Sequence, residues 1–232
     1  MYTYKYPHPS VTADNVIFGF DGNNLHILLV ERGLEPYKGC WALPGGFLQM
    51  DETIEECAKR ELAEETNVQD VYLQQFQVFS GVQRDPRERV LTVAFFALVR
   101  KSDYEVIAGD DASDASWFPV NELPPLAFDH PEIINQARIK LQEELRLRPI
   151  AFKLLDEKFS MSELQRLYEL INDTRYDRRN FQRKMMASGY LSDEGISRAV
   201  SANRPPQLFS FDEASYEQSL EEPDRKKYPF DF

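Results

Sequence analysis

Apolar residues follow the periods of strands and helices along the first 120 residues. Two apolar, β-branched-rich runs, residues 15–20 and 25–30, flank a turn at 21–24 that contains Gly22, so they predict a hairpin. Further elements are predicted as strands at 41–43, 71–79, 90–100 and 117–119 and as a helix over 53–66. Because the strands and helices do not alternate strictly, the pattern predicts an α+β fold.

A long amphipathic helix is predicted over residues 130–147. It should begin at His130 with Pro131 in its first turn, a position where proline is favoured. The residues expected on its buried face are Ile133, Ile134, Ala137, Leu141 and Leu145. The helix ends before Pro149, so we predict a first domain over 1–149, which includes this exit helix, and a second domain over 150–232.

The second domain has the sequence pattern of a winged helix-turn-helix. Ser160 and Glu163 fit a capping box that opens a helix, and Asp177 is placed to cap a second helix over 178–188. Gly189 should end that helix, followed by paired short strands at 190–191 and 207–211. The polar tail, residues 212–232, carries no pattern from which an element is predicted. Two helices, the second of them basic, followed by a β-ribbon are typical of winged-helix domains.

Composition and charge narrow the classes of function. With 232 residues and 42% hydrophobic residues the chain can bury a substantial core. No apolar run approaches the roughly 20 residues that a membrane span needs, and the N-terminus lacks a secretory pattern, so we expect a cytoplasmic protein with no membrane partner. The net charge of −12 argues against nucleic-acid binding by the whole chain, yet residues 175–205 hold seven Lys and Arg against three Asp and Glu.

The basic helix supplies candidate contacts to double-stranded DNA. These candidates are Arg178, Arg179, Gln182 and Arg183 on the helix and Arg204 in the loop before the last strand. A basic helix is by default only a solvated surface, and the domain could instead serve dimerisation alone. The wing that follows the helix favours DNA binding.

The helix over 53–66 turns carboxylates toward its own buried face. With Ile54 set at zero, Ala58 lies at about 40° and Leu62 at about 80° around the axis, which defines the apolar face. On the same scale Glu61 lies at about 340°, Glu65 at about 20° and Glu64 at about 280°. A solvated acidic face is the ordinary alternative, but two of these three glutamates point into the apolar stripe.

Inward carboxylates need a partner. Each one costs several kcal/mol unless it is paired or bound to a metal, and Glu61 and Glu65 also repel each other at i,i+4. The basic residues Lys59 and Arg60 lie at about 140° and 240°, so no basic residue is expected in the acidic arc. A hard divalent cation, Mg²⁺ or Mn²⁺, with oxygen ligands is the economical partner, and Mg²⁺ also bridges phosphate oxygens.

Residues before the helix complete the candidate site. The pair Gly45 and Gly46 after Pro44 predicts a backbone bend that a metal or a substrate phosphate can approach closely, because glycine has no Cβ. Glu52 adds a carboxylate just before the helix and can hold Arg60 in place.

Residues 46–68 resemble the Nudix box, G-x5-E-x7-R-E-U-x-E-E-x-G-U. Gly46, Glu52 and the run that begins at Arg60 match it, and only its second glycine is replaced, by Asn67, which also tolerates a left-handed helix end. The resemblance implies a mixed sheet sandwiched by helices and hydrolysis of a diphosphate bond by metal-activated water. The residues it implies for metal binding and catalysis are Glu61, Glu64 and Glu65 as metal ligands with the Gly45 backbone, and Glu52 and Arg60 in support.

Two further features of the first domain stay open. Family members often use an additional acid outside the box, and the candidates here are Glu88, Asp110 and Asp111. Arg84, Arg87 and Arg89 are placed to clamp a diphosphate, with Gly46 as a further substrate contact, but a loop ion-pair cluster around Asp85 is an equal alternative.

The whole chain resembles the Nudix-related transcriptional regulators of the NrtR type. The segments that carry this resemblance are 117–119 (WFP), 126–130 (LAFDH), 179–184 (RNFQRK) and 204–209 (RPPQLF). The family joins a Nudix domain, often no longer catalytic, to a winged helix, binds DNA as a dimer, and responds to ADP-ribose or sugars. The resemblance implies a homodimer with a nucleotide-sugar ligand.

Two functional hypotheses follow. The first is a Mg²⁺-dependent hydrolase of ADP-ribose or a similar nucleoside diphosphate derivative, fused to a DNA-binding winged helix. The second is a transcriptional repressor whose Nudix domain binds ADP-ribose or a sugar without cleaving it. The complete set Glu61, Glu64 and Glu65 favours the first, because a domain that only senses its ligand has no need for three carboxylates on a costly face.

Overall fold

The chain forms two compact units. The computed structural model describes residues 5–69, 71–104, 112–196 and 205–221, and of residues 112 and 113 it describes the backbone. Unit 1 comprises Met1–Gly19 and His26–Arg138, and unit 2 comprises Phe20–Leu25 and Ile139–Phe232. The division falls inside the long helix, before the predicted boundary at residue 149.

Unit 1 is built around a sheet of seven described strands. Its strands are β1 Ser10–Phe20, β2 Leu25–Arg32, β3 Trp41–Ala42, β4 Gly45–Phe47, β5 Tyr72–Phe79, β6 Val90–Arg100 and β7 Ala112–Pro119. Within the described residues these form one sheet in the order β3-β2-β1-β6-β5, with β4 paired to β1 and β7 paired to β2. The helices are α1 Ile54–Thr66 and α2 His130–Leu147, with a short 3-10 helix at Lys101–Asp103. The α+β prediction is confirmed.

The apolar runs of the sequence become the core of the central strands. From Thr12 onward every residue of β1 is buried, and most of β6 is buried as well. Leu62 of α1 packs in one buried cluster with Ile17 of β1 and Ala97 of β6. This packing fixes α1 against the sheet, so the direction of its other side chains is fixed too.

Local sequence signals set both ends of α1. Thr53 is the N-cap, and it forms a reciprocal capping box with Glu56. Asn67 ends the helix in the left-handed conformation, with φ 58° and ψ 18°, and its N–H donates to the Ala63 carbonyl. The predicted helix and its left-handed end are confirmed.

The glycine pair forms a strand where the sequence predicts only a bend. Gly45 and Gly46 pair antiparallel with Asp14 and Ala13 of β1. A Cβ at Gly45 would overlap the Ala13 carbonyl oxygen, so glycine is needed for this close approach. The strand was missed because two glycines carry none of the β-branched signal by which short strands are recognised.

The long helix α2 confirms its predicted start and buried face. It begins at His130, and its five predicted core residues are all at most 3% exposed. His130 is itself buried, and its Nδ1 accepts a hydrogen bond of 2.9 Å from the Leu43 backbone N–H. This bond requires the neutral imidazole at Nδ1.

Unit 2 contains the predicted winged helix. Its elements are a 3-10 helix Ile150–Lys153, β8 Phe159–Ser160, α3 Met161–Asn172, α4 Arg178–Met186, β9 Leu191–Ile196, β10 Gln207–Phe211 and α5 Glu213–Ser219. The described strands pair in the order β8-β10-β9. The capping box of Ser160 with Glu163 and the N-cap Asp177 are confirmed. Phe181 and Met185 of α4 pack inward as predicted.

The start of the polar tail is helical, which the sequence analysis missed. Asp212 caps α5 by accepting a hydrogen bond of 2.9 Å from the Ser215 N–H. Tyr216 meets the ring of Tyr190 edge-on at 5.3 Å, and the Tyr190 hydroxyl donates to Ser219 Oγ at 3.0 Å. A helix of seven residues is too short to show a helical period, so tertiary contact decides its formation.

Replacement of Asn67 by alanine should destabilise unit 1. Most residues other than glycine and asparagine pay about 1–2 kcal/mol for a left-handed backbone. We expect Asn67→Ala to lower the free energy of unfolding by about 1 kcal/mol, and Asn67→Gly to leave it equal or higher. Urea denaturation measures both, with Lys59→Ala on the exposed side of α1 as control. Equal midpoints for Asn67→Ala and the native chain would contradict the argument.

The buried His130 should make stability depend on pH. Burial lowers its pKa, so the folded protein keeps it neutral while the unfolded chain takes up a proton below a pKa of about 6.5. Its stabilising contribution is therefore present above pH 6.5 and is lost as the pH falls from there toward the lowered pKa of the folded state. Thermal unfolding between pH 8 and pH 5.5 should show a smaller decline in Tm for His130→Asn than for the native chain. Identical declines would show that His130 is not the titrating group.

Candidate functional site

A charged cleft of about 370 Å³ opens in unit 1. Its acidic lining residues are Asp14, Glu31, Glu35, Glu61, Glu65 and Asp85, and its basic ones are Arg32, Arg84 and Arg87. The backbone of Gly45 and Gly46 and the rings of Phe128 and His130 also line it. The cleft therefore combines carboxylates, guanidinium groups and close backbone approach in one place.

Glu61 and Glu65 of α1 point toward the buried face as their angles predict, whereas the expectation that Glu64 shares this costly face is wrong. Glu61 keeps only 13% of its side chain exposed, whereas Glu64 keeps 60% exposed. Glu65 is half-buried, and its Oε2 accepts a hydrogen bond of 2.8 Å from the Gly45 N–H. Glu61 and Glu65 line the cleft, and Glu64 lies on the exposed side of the same helix.

Arg60 joins the carboxylates into a network. Its Nε and Nη2 donate to the two oxygens of Glu52 at 2.9 and 2.7 Å, which confirms the predicted pairing. Its Nη1 donates to Glu61 Oε1 at 2.7 Å and to Glu64 Oε2 at 3.1 Å. The expectation that no basic residue enters the acidic arc is therefore wrong. The angles locate each Cβ, and the long arginine side chain carries its guanidinium well away from that position.

Charge and burial shift the acidities of this network. The hydrogen bonds from Arg60 hold the pKa of Glu52 at about 2. Burial raises the pKa of Glu61. Burial raises the pKa of Glu65 to about 8, the Gly45 hydrogen bond opposes this shift, and repulsion from Glu61 and Asp14 adds to it. Negative charge in the cleft is thus only partly compensated by the protein.

The donor set fits a magnesium ion that shares its ligands with a substrate. Among the described residues, Glu61 Oε2 and Glu65 Oε1 have no hydrogen-bonding partner. The described part of the chain holds no group of three or more His, Cys, Asp or Glu side chains arranged for a metal. Mg²⁺ usually takes one or two carboxylates, keeps several waters and binds substrate phosphates, so two carboxylates are a suitable protein share.

The two glycines serve the site by making room. A Cβ at Gly46 would overlap the Glu61 carboxylate, so any side chain there would displace the candidate ligand. Gly45 brings its N–H to Glu65 while it lies against β1. The carboxylates that approach these two glycines closely thus belong to the protein itself, namely those of Glu61 and Glu65.

The arginines near Asp85 are engaged in ion pairs. Arg84 donates to both oxygens of Asp129 at 2.9 and 2.8 Å and to Asp14 at 3.2 Å, with only 6% of its side chain exposed. Arg87 pairs with Asp85 at 3.0 and 2.7 Å. Both Arg84 and Arg87 thus form ion pairs, as the alternative to diphosphate binding predicts. Arg84, however, pairs with residues distant in sequence and not with its neighbour Asp85.

Neither Arg89 nor Glu88, the first of the predicted acids outside the box, is among the residues that line the cleft. Arg89 donates to the carbonyls of Gly81 and Ser80, each at 2.9 Å. Glu88 is exposed and accepts a hydrogen bond of 2.7 Å from Ser10 Oγ. The two other predicted acids, Asp110 and Asp111, lie outside the described residues.

Sequence analysis missed Asp14, Arg32 and Phe128, which line the cleft, whereas Arg87, one of the predicted diphosphate candidates, does line it. Asp14 carries one usable signal, since an acid within an apolar strand must find a partner. The others come from separate loops and strand ends, and no local pattern brings them together.

The exposed face of α4 carries the predicted DNA contacts. Arg178, Arg179, Gln182 and Arg183 are all exposed, whereas Phe181 and Met185 of the same helix are buried. Arg183 donates to Asn180 Oδ1 at 2.7 Å. The predicted contact Arg204 and its neighbour Arg198 lie outside the described residues.

In the described part of the chain, no helix combines the length and the apolar composition needed to cross a membrane.

Two family models match the chain, one in each half. The NUDIX domain model matches residues 8–137. The NrtR DNA-binding winged helix domain model matches residues 151–211. Their order along the chain agrees with the order of the predicted domains.

Known proteins with similar sequences and structures carry the same combination. The chain is 33% identical over 228 residues to the ADPR responsive transcriptional repressor NtrR of Acinetobacter baylyi, covering 97% of this chain and 90% of that protein. It is 44% identical over 130 residues to an ADP-ribose pyrophosphatase of Methanocaldococcus jannaschii, covering 56% of this chain and 73% of that protein.

The fold is similar to that of a solved regulator. The structure matches Shewanella oneidensis NrtR complexed with a 27mer DNA, with a TM-score of 0.75 and 32% sequence identity, over 87% of this chain and 93% of that one. The similarity spans both units, as does that to the repressor of Acinetobacter baylyi. The chain therefore belongs to the NrtR family, in which a Nudix domain is followed by an NrtR DNA-binding winged helix domain.

Proposed function

We propose that this protein hydrolyses ADP-ribose or a similar nucleoside diphosphate derivative with Mg²⁺ or Mn²⁺, and that its winged helix makes it a DNA-binding regulator. The observation that carries the catalytic part is the pair Glu61 and Glu65, turned into one cleft with an oxygen each left unpaired among the described residues. The pyrophosphatase relative supports the choice of substrate class.

The chain's own residues have distinct tasks in this proposal. Glu61 and Glu65 would hold the ion, with Glu64 and the Gly45 backbone as further ligands. When bound, the ion supplies polarisation of a phosphoryl oxygen and an activated water. Arg60 orients Glu61 through the bond of 2.7 Å, and Glu52 keeps Arg60 in place through its two bonds. The Gly45 N–H fixes one oxygen of Glu65, so the other faces the cleft.

A non-catalytic repressor is the second candidate, and one observation favours it. Arg60 occupies an oxygen of both Glu61 and Glu64, which lowers the need for a cation there. The sequence of the repressor from Acinetobacter baylyi is similar to this one over 97% of this chain. Turnover of ADP-ribose separates the two candidates, since both predict that ADP-ribose binds.

Hydrolysis should depend on Glu61 and on the metal. We expect Glu61→Gln and Glu65→Gln to lower kcat/KM for ADP-ribose by at least about 100-fold, or about 2.7 kcal/mol of transition-state stabilisation. EDTA should abolish turnover, and added Mg²⁺ should restore it. Glu64→Gln tests the exposed third carboxylate in the same assay.

The matched control is Glu55→Gln, an exposed carboxylate of the same helix. It should keep native activity. Absence of Mg²⁺-dependent turnover of any nucleoside diphosphate derivative by the native chain would leave the repressor as the function. Full activity in Glu61→Gln would remove the metal-ligand role of that residue.

DNA binding should depend on the exposed face of α4. We propose a homodimer that places one such helix in each half of its operator. Replacement of Arg178, Arg179 and Arg183 by alanine removes three cations and should abolish the gel shift of the protein's own upstream region. Native binding should weaken steeply as salt rises, and ADP-ribose should relieve it. Lys59→Ala in unit 1 is the control, and a triple variant that still binds would clear these residues.

A further inference from the structure

The chain passes between the two units inside regular secondary structure. Residues 20–25, which form the turn of the β1–β2 hairpin and its flanking positions, belong to unit 2, whereas the rest of both strands belongs to unit 1. The long helix α2 begins in unit 1, and from Ile139 onward it belongs to unit 2. Paired strands and a continuous helix therefore connect the units, in place of a Gly- or Ser-rich linker.

The same elements carry residues of the cleft. Asp14 of β1 and Arg32 of β2 line it, and so does His130, the first residue of α2. His130 is also fixed by the hydrogen bond of 2.9 Å from the Leu43 backbone N–H. A ligand that fills the cleft therefore meets each element that continues into unit 2.

The hairpin turn is an ordered structure that lies on α3. The Asp21 carboxylate accepts hydrogen bonds of 2.9 and 2.8 Å from two backbone N–H groups of the turn, which fixes its shape. Arg166 of α3 donates from Nε to the Asn23 carbonyl at 2.9 Å, and within the described residues it has no other hydrogen bond and no ion pair. A Cβ at Gly22 would lie 3.8 Å from the Glu163 carboxylate, which also caps α3. The turn is thus attached to the first half of α3.

The second connecting element reaches the same helix. Gln142 of α2 donates from Nε2 to the Ile171 carbonyl, in the last turn of α3, at 2.7 Å. Leu141 and Leu145, on either side of Gln142 in α2, are at most 1% exposed. The hairpin turn and α2 therefore hold opposite ends of α3.

The position of α3 determines that of α4. Tyr168 of α3 is fully buried, and its ring meets the ring of Phe181 of α4 edge-on at 5.5 Å. Tyr176, between the two helices, lies 5.6 Å from the same ring. Because a close-packed interior transmits displacements, a movement of α3 also moves the helix that carries the proposed DNA contacts.

We propose that α3 receives the ligand signal, and that the hydrogen bond from Arg166 to the hairpin turn couples an occupied cleft to DNA binding by α4. This coupling rests on the proposed function, since it requires a ligand in the cleft and DNA on α4. The ligand favours one conformation of the turn and α3, and DNA favours the other, so each weakens the binding of the other. Occupancy of the cleft is sufficient for the effect, so a catalytic and a non-catalytic Nudix domain use it alike.

Fluorescence anisotropy of the labelled upstream region, titrated with the full chain in Mg²⁺ buffer, tests the coupling. The probe ligand is α,β-methylene ADP-ribose, whose diphosphate resists hydrolysis. The coupling factor is the Kd for DNA with saturating probe divided by the Kd without it, and allosteric proteins typically give about 5- to 150-fold. Arg166→Met keeps the aliphatic stem and loses the donor, so it should lower this factor by at least about 3-fold.

Asp21→Ala is an independent variant, because it loosens the turn without removing a cation from unit 2. It should lower the coupling factor in the same way as Arg166→Met. Lys153→Met is the matched control, since Lys153 is an exposed cation of unit 2. Loss of its charge should affect DNA binding equally with and without the probe and leave the coupling factor native. Thermal unfolding verifies that each variant is folded.

The coupling and the proposed function fail in different ways. Native coupling factors in both Arg166→Met and Asp21→Ala would overturn the coupling and leave the proposed function intact. A native chain whose DNA binding does not respond to the probe would overturn the coupling together with regulation by the ligand. A chain that responds to the probe through both residues but turns over no nucleoside diphosphate derivative keeps the coupling and loses the hydrolase.

Discussion

The burial of carboxylates on the sheet-facing side of α1 is the constraint on which the site depends. Leu62 must pack into the core, and this fixes the rotation of the helix and turns Glu61 and Glu65 into the cleft. The surrounding sequence accommodates that charge. Gly46 leaves space for the Glu61 carboxylate, Gly45 donates an N–H to Glu65, and Arg60 neutralises one oxygen of Glu61. Compensation stays partial, which is why burial can hold the pKa of Glu65 at about 8.

The parts of this arrangement that depend on neighbouring residues could be predicted from sequence. Helical angles placed Glu61 and Glu65 correctly because α1 is regular from its capping box at Thr53 to its left-handed end at Asn67. The pairing of Glu52 with Arg60 followed from their spacing at the helix start. In unit 2 the same reasoning located both caps and the buried face of α3, since an amphipathic period and a cap are local properties.

What depends on tertiary contact could not be predicted. Asp14, Arg84 and Asp129 form one ion-pair group although they come from distant segments of the chain. The sequence analysis placed Arg84 in an ion-pair cluster around its neighbour Asp85, but Asp85 pairs with Arg87. Side-chain length was the second obstacle, since Arg60 reaches the carboxylate of Glu61, whose Cβ lies about 100° further around the helix. Strand β4 and helix α5 were missed because their residues have weak intrinsic preferences and are ordered by what they pack against.

The Arg60 network bears on whether a Nudix domain cleaves its ligand or only binds it. A metal and Arg60 compete for the same carboxylates, yet each carboxylate has two oxygens and Arg60 takes one from Glu61 and one from Glu64. Glu52 engages two of the Arg60 nitrogens, which limits how far Arg60 can move to neutralise more of the site. The oxygens that face the cleft thus stay available to a cation. Binding requires only that cation and a cationic partner for the phosphates, whereas cleavage also requires that a water be held in line with the diphosphate bond. Catalysis can therefore be retained or lost in this family without any change in the fold or in ligand affinity.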